Sequence, residues 1–177
     1  VVSLFANGAL YLSLLFGWFY LWTAAPRWSA PAEGPLSLWG LLASGLLLSG
    51  AVLLNNYLVA RLRKRDDLHL ERHLWLVVGL GIAHFVLLLR VLSSAPLNPG
   101  ALAHDAVLTF VLYYLLLHSG LAILFSGLQA LRVRCGYVGR TLPYEAVVLR
   151  PFWIYTLAVY WCSVAAFILM PMAWGPL

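Results

Sequence analysis

The sequence predicts an all-α polytopic membrane protein, a bundle of five transmembrane helices, on three observations. Hydrophobic residues make up 63% of the 177 positions and charged residues 10%, against about 45–50% and about 25% in soluble domains. Several apolar stretches reach the roughly 20 residues that a helix needs to cross a bilayer. These runs are continuous, whereas strands of a membrane barrel alternate apolar and polar in segments of about ten residues. Continuous runs suit helices, which satisfy their backbone hydrogen bonds internally.

The first span covers about 4–24 and is closed by "APRWSAP". The second covers about 36–60 and is closed by "RLRKRDD", the third about 73–92, closed by "SSAPLNPG". The fourth covers about 104–131 and ends in "RVRCGYVGR"; the fifth, about 151–170, starts at Pro151 and ends in "PMAWGPL". The connections are short and rich in Pro, Gly and charge, as interhelical turns are. No soluble domain fits between the spans, so 1–177 reads as a single helical domain. It opens on Val1 and Val2 with neither Met nor a basic stretch, the expectation for a segment with further helices ahead of it.

The net charge of +5 is unevenly placed. Nine of the eleven basic residues, among them Arg61, Arg65, Arg72, Arg132 and Arg150, lie between spans two and three or four and five. Basic loops stay in the cytoplasm, which puts the N-terminus inside and the C-terminus outside. Contact with anionic lipid headgroups accounts for such loops, and nothing supports a nucleic-acid partner. Trp18, Trp22, Trp28, Trp39 and Trp174 fall mostly near the outer interface, where indoles anchor spans. Cys135 and Cys162 are placed against a disulfide, and no Cys/His metal-ligand spacing appears.

Polar groups inside a bilayer are costly and point to function. Here they are Asn7, Asn55, Asn56, His84, Arg90, His118 and Gln129, with no carboxylate in the central part of any span. A proton pump or cation-coupled carrier loses most of its support on that ground. His84 and His118 fall at similar depths on sequential antiparallel helices, so they could serve as axial ligands of a b-type heme. The competing expectation is structural: a neutral His118 hydrogen-bonded across a helix contact, with Asn7 and Arg90 as further structural polar residues. Ser119 and Gly120 mark a close-packed face beside His118, and "SGLLLSG" at 44–50 reads as helix packing through small residues.

The segments "SLFANGALYLSLLFGWFYLWTAAPRW", "SLWGLLASGLLLSGAVLLNNYLVARLRK", "DAVLTFVLYYLLLHSGLAILFSGLQALR" and "LRPFWIYTLAVYWCSVAAFILMP" follow one another in the chain. In that order they resemble the third, fourth, sixth and seventh helices of subunit III of the heme-copper cytochrome c oxidases. The likeness is closest to the subunit-III-like region fused behind subunit I in some bacterial oxidases. It covers nearly the whole chain and matches the last five helices of a seven-helix family. The departures are consistent in kind. Gly8 stands where the family has a carboxylate, His118 survives from an H-x-x-H pair whose second position is Leu121, and Ile154 and Leu157 replace a His and an Asp.

The resemblance implies a non-catalytic component of a respiratory oxidase in the bacterial inner membrane, with no catalytic residue, metal or cofactor of its own. Hemes and copper would sit in the catalytic subunit I packed beside it, and bound phospholipid would fill a cleft that eases oxygen's approach. Headgroup candidates are Arg61, Arg65, Arg72 and Arg132 on the inner side and Trp18 and Trp22 outside. The alternative is a b-type cytochrome anchor using His84 and His118; a small transporter or assembly factor is a third, weaker reading.

Overall fold

Once inside hydrocarbon, a backbone must close its own hydrogen bonds, and this chain does so with helices throughout. The computed structural model describes residues 2–24, 36–63, 70–100, 102–137 and 144–169. They form α1 (Val2–Ala24), α2 (Leu38–Arg63), α3 (Leu70–Ser94), α4 (Ala103–Arg134) and α5 (Tyr144–Val164), and α5 runs into a π-helical turn at Ala165–Leu169. No strand occurs among the described residues. All five helices are long and apolar enough to span a membrane.

Local chemistry fixes the ends. Ser37 Oγ accepts the Gly40 N–H at 3.2 Å, so a side-chain oxygen serves one of the unpaired donors at the start of α2. Asp105, in the first turn of α4, accepts the Asn98 N–H at 2.9 Å and ties the preceding turn to the helix. At its other end α4 closes on Gly136, whose φ of 77° suits a residue without Cβ. There the Tyr137 N–H reaches the Arg132 carbonyl and the Gly136 N–H the Val133 carbonyl, while Arg132 and Arg134 complement the helix dipole.

The fifth span differs from its sequence expectation. Helix α5 begins at Tyr144, so Pro151 lies inside it rather than at its start. Proline's fixed φ is compatible with helix, but it removes a donor and its ring crowds the carbonyl one turn back: nothing at position 151 can serve the Val147 carbonyl. Helix α4, at 32 residues, is about 48 Å long at 1.5 Å per residue, well beyond a core of about 30 Å. About 18 Å of its length is therefore surplus to the hydrocarbon core.

Helices α2, α3, α4 and α5 close a ring, each packed on two neighbours, and α1 lies outside against α4 and α5. The register is antiparallel around the ring. Gly40 of α2 meets Val91 of α3 while Gly50 meets Leu80, and Gly81 of α3 meets Ile123 of α4 while Gly120 meets Phe85. Arg150 at the start of α5 donates to Asn56 Oδ1 near the end of α2 at 2.8 Å. This alternation brings Arg61, Arg72, Arg132, Arg134 and Arg150 to one end of the bundle, where Glu71 and Arg134 lie 4.0 Å apart.

Small residues set how closely the helices approach, as the "SGLLLSG" stretch led us to expect. A Cβ at Gly45 would lie 2.7 Å from the Trp161 ring and 2.8 Å from Tyr160, so only glycine lets α5 rest on α2. Gly79, by contrast, has nothing within 4 Å of such a Cβ. Gly45→Val is therefore expected to cost about 1–3 kcal/mol through overpacking. Gly79→Ala should be neutral or stabilising by up to about 1 kcal/mol through helix propensity. Thermal unfolding of both variants in detergent micelles checks this contrast.

Candidate functional site: a cleft at the basic end beside a set of polar ties

The polar side chains of the spans are mostly engaged in crossing from one helix to the next. His84, fully buried on α3, lies between two serines. Its Nδ1 is 3.0 Å from the Ser44 carbonyl and 2.8 Å from Ser44 Oγ on α2, and its Nε2 is 2.9 Å from Ser119 Oγ on α4. A carbonyl oxygen can only accept, so Nδ1 carries the proton and Nε2 accepts from the Ser119 hydroxyl. A neutral imidazole fits all of these partners. The edge of Tyr160 closes the site, ring centroids 5.3 Å apart.

Other ties follow the same plan. The Trp153 indole N–H donates to Ser126 Oγ at 3.1 Å, the Tyr160 hydroxyl to the Leu41 carbonyl at 2.7 Å and the Trp161 indole to Ser49 Oγ at 3.2 Å. The outer helix is held by Tyr11, whose hydroxyl donates to the Val159 carbonyl at 3.2 Å and lies 2.9 Å from Ser163 Oγ. From α4, the Tyr114 hydroxyl donates to the Asn7 carbonyl at 3.1 Å and lies 2.6 Å from the Tyr155 hydroxyl.

The two intramembrane histidines are level, since His84 bonds the residue next to His118, but their rings do not converge. His118 donates from Nδ1 to the Tyr114 carbonyl of its own helix at 2.9 Å. Its ring lies against Tyr114, Phe152 and Tyr155, at 4.1, 5.8 and 5.8 Å. The expected cross-helix bond of His118 is thus replaced by an intrahelical one. Positions 118 and 119 point to different neighbours, and the crossing falls to Ser119. To ligate a heme, His84 would have to release Ser44 or Ser119.

The remaining predicted residues separate by exposure. Trp18 and Trp22 are only 2% and 7% exposed, and Trp18 packs edge-on against Phe167 at 4.7 Å. They face the bundle and not headgroups, because with Tyr11 they form the inward stripe of α1 (spacings of seven and four). Of the indoles expected in an interfacial belt, Trp39, 80% exposed, fits it; Trp28, Trp174 and Arg65 lie outside the described residues. Arg61 is exposed and folds back onto Tyr57, its Nε donating to the phenolic oxygen at 3.0 Å. Arg72 and Arg90 are exposed, and the Asn7 side chain donates to the Ser3 carbonyl of its own helix.

Arg132 sits elsewhere in character. It lines a cleft of about 770 Å³ at the basic end, between the start of α1, the last turns of α4 and the first turns of α5. Leu4, Phe125 and Phe152 contribute apolar wall, and Ser3 and Gln129 the other polar groups. That size lies within the range of pockets that hold small organic ligands. Beside the cleft, Phe152 separates it from the His118 ring.

Ser44 and Ser119 are read from the sequence only as small packing residues, not as hydrogen-bonding partners of His84, and Ser126, Trp153 and Tyr160 carry no expectation there. A signal existed: Ser119 and Ser126 are seven residues apart, as are Trp153 and Tyr160, so each pair shares a helix face. Among known proteins, no family model and no curated protein matches the chain.

Because His84 joins three helices and His118 only its own, the two alanine variants should separate. Interhelical hydrogen bonds in membranes contribute about 0.6 kcal/mol on average and up to about 1.7 each. His84→Ala also leaves a void and two unsatisfied serines, so a loss of about 2–4 kcal/mol is expected. The loss for His118→Ala should be the smaller one, measured by reversible unfolding in mixed micelles.

Proposed function

We propose that the chain is a non-catalytic, subunit-III-like component of a respiratory heme-copper oxidase, packed in a bacterial inner membrane against the subunit that holds the hemes and copper. One observation carries the reading. Most of the hydrogen-bonded polar side chains within the described spans tie one helix to another, and the space at the basic end is an apolar cleft bordered by a cation. Such a chain has shape, apolar surface and a place for lipid to offer, and these are what an accessory subunit contributes.

The collinear resemblance of its helices to subunit III supports the same reading. Gly8, where that family has an intramembrane carboxylate, departs from the pattern and argues against a proton-handling role. With the basic end in the cytoplasm, the cleft would hold inner-leaflet phospholipid with its phosphate at Arg132. Oxygen, being apolar, partitions into hydrocarbon, and a lipid-filled cleft beside the catalytic subunit would serve as a route for it.

The test is the company the chain keeps. Affinity purification in a mild detergent should bring down a subunit bearing heme and copper, recognised by its visible spectrum and metal content. Purification as a stable lone chain would overturn the reading. A Soret band that belongs to the isolated chain and disappears in His84→Ala would favour the b-type cytochrome instead.

A further inference from the structure

A buried amide can show which of its two ends a ligand must serve. Gln129 is 4% exposed and lines the cleft. Its Oε1 is shut inside the bundle with no hydrogen-bond partner. The end left to the cleft is therefore Nε2, which carries two hydrogens and can only donate. A donor that meets nothing but hydrocarbon is costly, so the cleft calls for an acceptor at this point.

Depth says which acceptor. Gln129 stands one turn further into α4 than Arg132, about 4.5 Å along the axis, and both line the same cleft. Leu4, Phe125 and Phe152 supply apolar wall, and the two phenylalanines meet edge to face with ring centroids 6.3 Å apart. From the end of the bundle inward the wall thus runs from cation to neutral donor to aromatic floor. A diacyl glycerophospholipid presents the complementary series: a phosphate, ester carbonyls one glycerol link deeper, then acyl chain. Those carbonyls only accept, and in a bilayer they are the acceptors that lie just below the phosphates.

We infer that Gln129 recognises the ester linkage of a bound lipid: Nε2 donates to an acyl carbonyl of a diacyl glycerophospholipid whose phosphate is held by Arg132. The site then selects ester-linked over ether-linked lipid, because a dialkyl lipid keeps the phosphate and the chains but lacks the carbonyl. The inference rests on the reading of the cleft as a phospholipid site, and not on which protein packs beside the chain.

The experiment compares two lipids that differ only in those carbonyls. The full chain in detergent micelles is titrated with a diacyl phosphatidylglycerol and with the di-O-alkyl phosphatidylglycerol of the same chain length. Retention is read by native mass spectrometry. The diacyl form should be held about fivefold more tightly, the worth of one hydrogen bond. Gln129→Leu should remove that preference and leave the affinity for the ether lipid as it was; Gln129→Met, of nearly native length, should do the same. Both variants lose an unpaired buried oxygen, so neither should unfold at a lower temperature than the lipid-free wild type. Arg132→Gln should weaken both lipids alike and keep the preference. Equal affinity of the wild type for the two lipids, or a preference that persists in both Gln129 variants, would overturn the ester contact; if Arg132→Gln still weakens both lipids, the phospholipid reading of the cleft stands. Retention of neither lipid, or binding indifferent to Arg132→Gln, would overturn that reading and the inference with it.

Discussion

Bilayer hydrocarbon offers no water to a polar group, and the position of His84 is governed by that fact. Its two nitrogens meet one acceptor on α2 and one donor on α4, so the ring is satisfied only when three helices stand in one register. A slip of a single residue along α3 would leave the imidazole and two serines unpaired at once. The apolar contacts of the ring α2–α5 tolerate sliding, because lipid is as apolar as leucine. Directionality comes from the hydrogen bonds, and it propagates outward through Trp153 and Tyr160 to α5 and through Tyr11 and Tyr114 to α1.

Close approach and polar pairing depend on each other here. Tyr160 can reach the Leu41 carbonyl because Gly45 lets the ring settle on α2. Gly81 does the same beside Trp153, where a Cβ would stand 3.3 Å from the indole. Each aromatic residue therefore fills volume with its ring and fixes rotation with its polar tip. The same economy leaves the basic end different. There the ties thin out, Pro151 interrupts a ladder, Gln129 goes unserved, and space opens.

Much of the architecture was legible in the sequence because bilayer thickness translates directly into run length. The existence and order of five spans, the close-packed face at Ser119 and Gly120, and the role of Gly45 all follow from such arguments. What was not legible has a common cause. A span that packs against others on one side and lipid on the other is apolar all round, so hydropathy carries no direction. Trp18 and Trp22 were placed by depth, which was reasonable, and misplaced by azimuth, which composition does not encode. His118 drew attention because it interrupts "LLLHSGLAIL", yet its neighbour Ser119 makes the tie. The fifth span reads from about Pro151 in the sequence, whereas the helix starts at Tyr144 and accepts the bond missing at the proline.

The placement of α1 has a consequence for how the protein is made. Its partners are distant in sequence: Tyr11 bonds a residue 148 positions downstream, and Asn7 receives Tyr114 from 107 positions away. At a synthesis rate of about 5–20 residues per second, roughly 7 to 30 s separate the emergence of Tyr11 from that of its acceptor on α5. Through that interval the Tyr11 hydroxyl is without the mate it will later have, although Tyr114 of α4 reaches α1 sooner. Within this stretch of chain, α1 is thus made 107 and 148 residues ahead of the partners that fix it on α4 and α5.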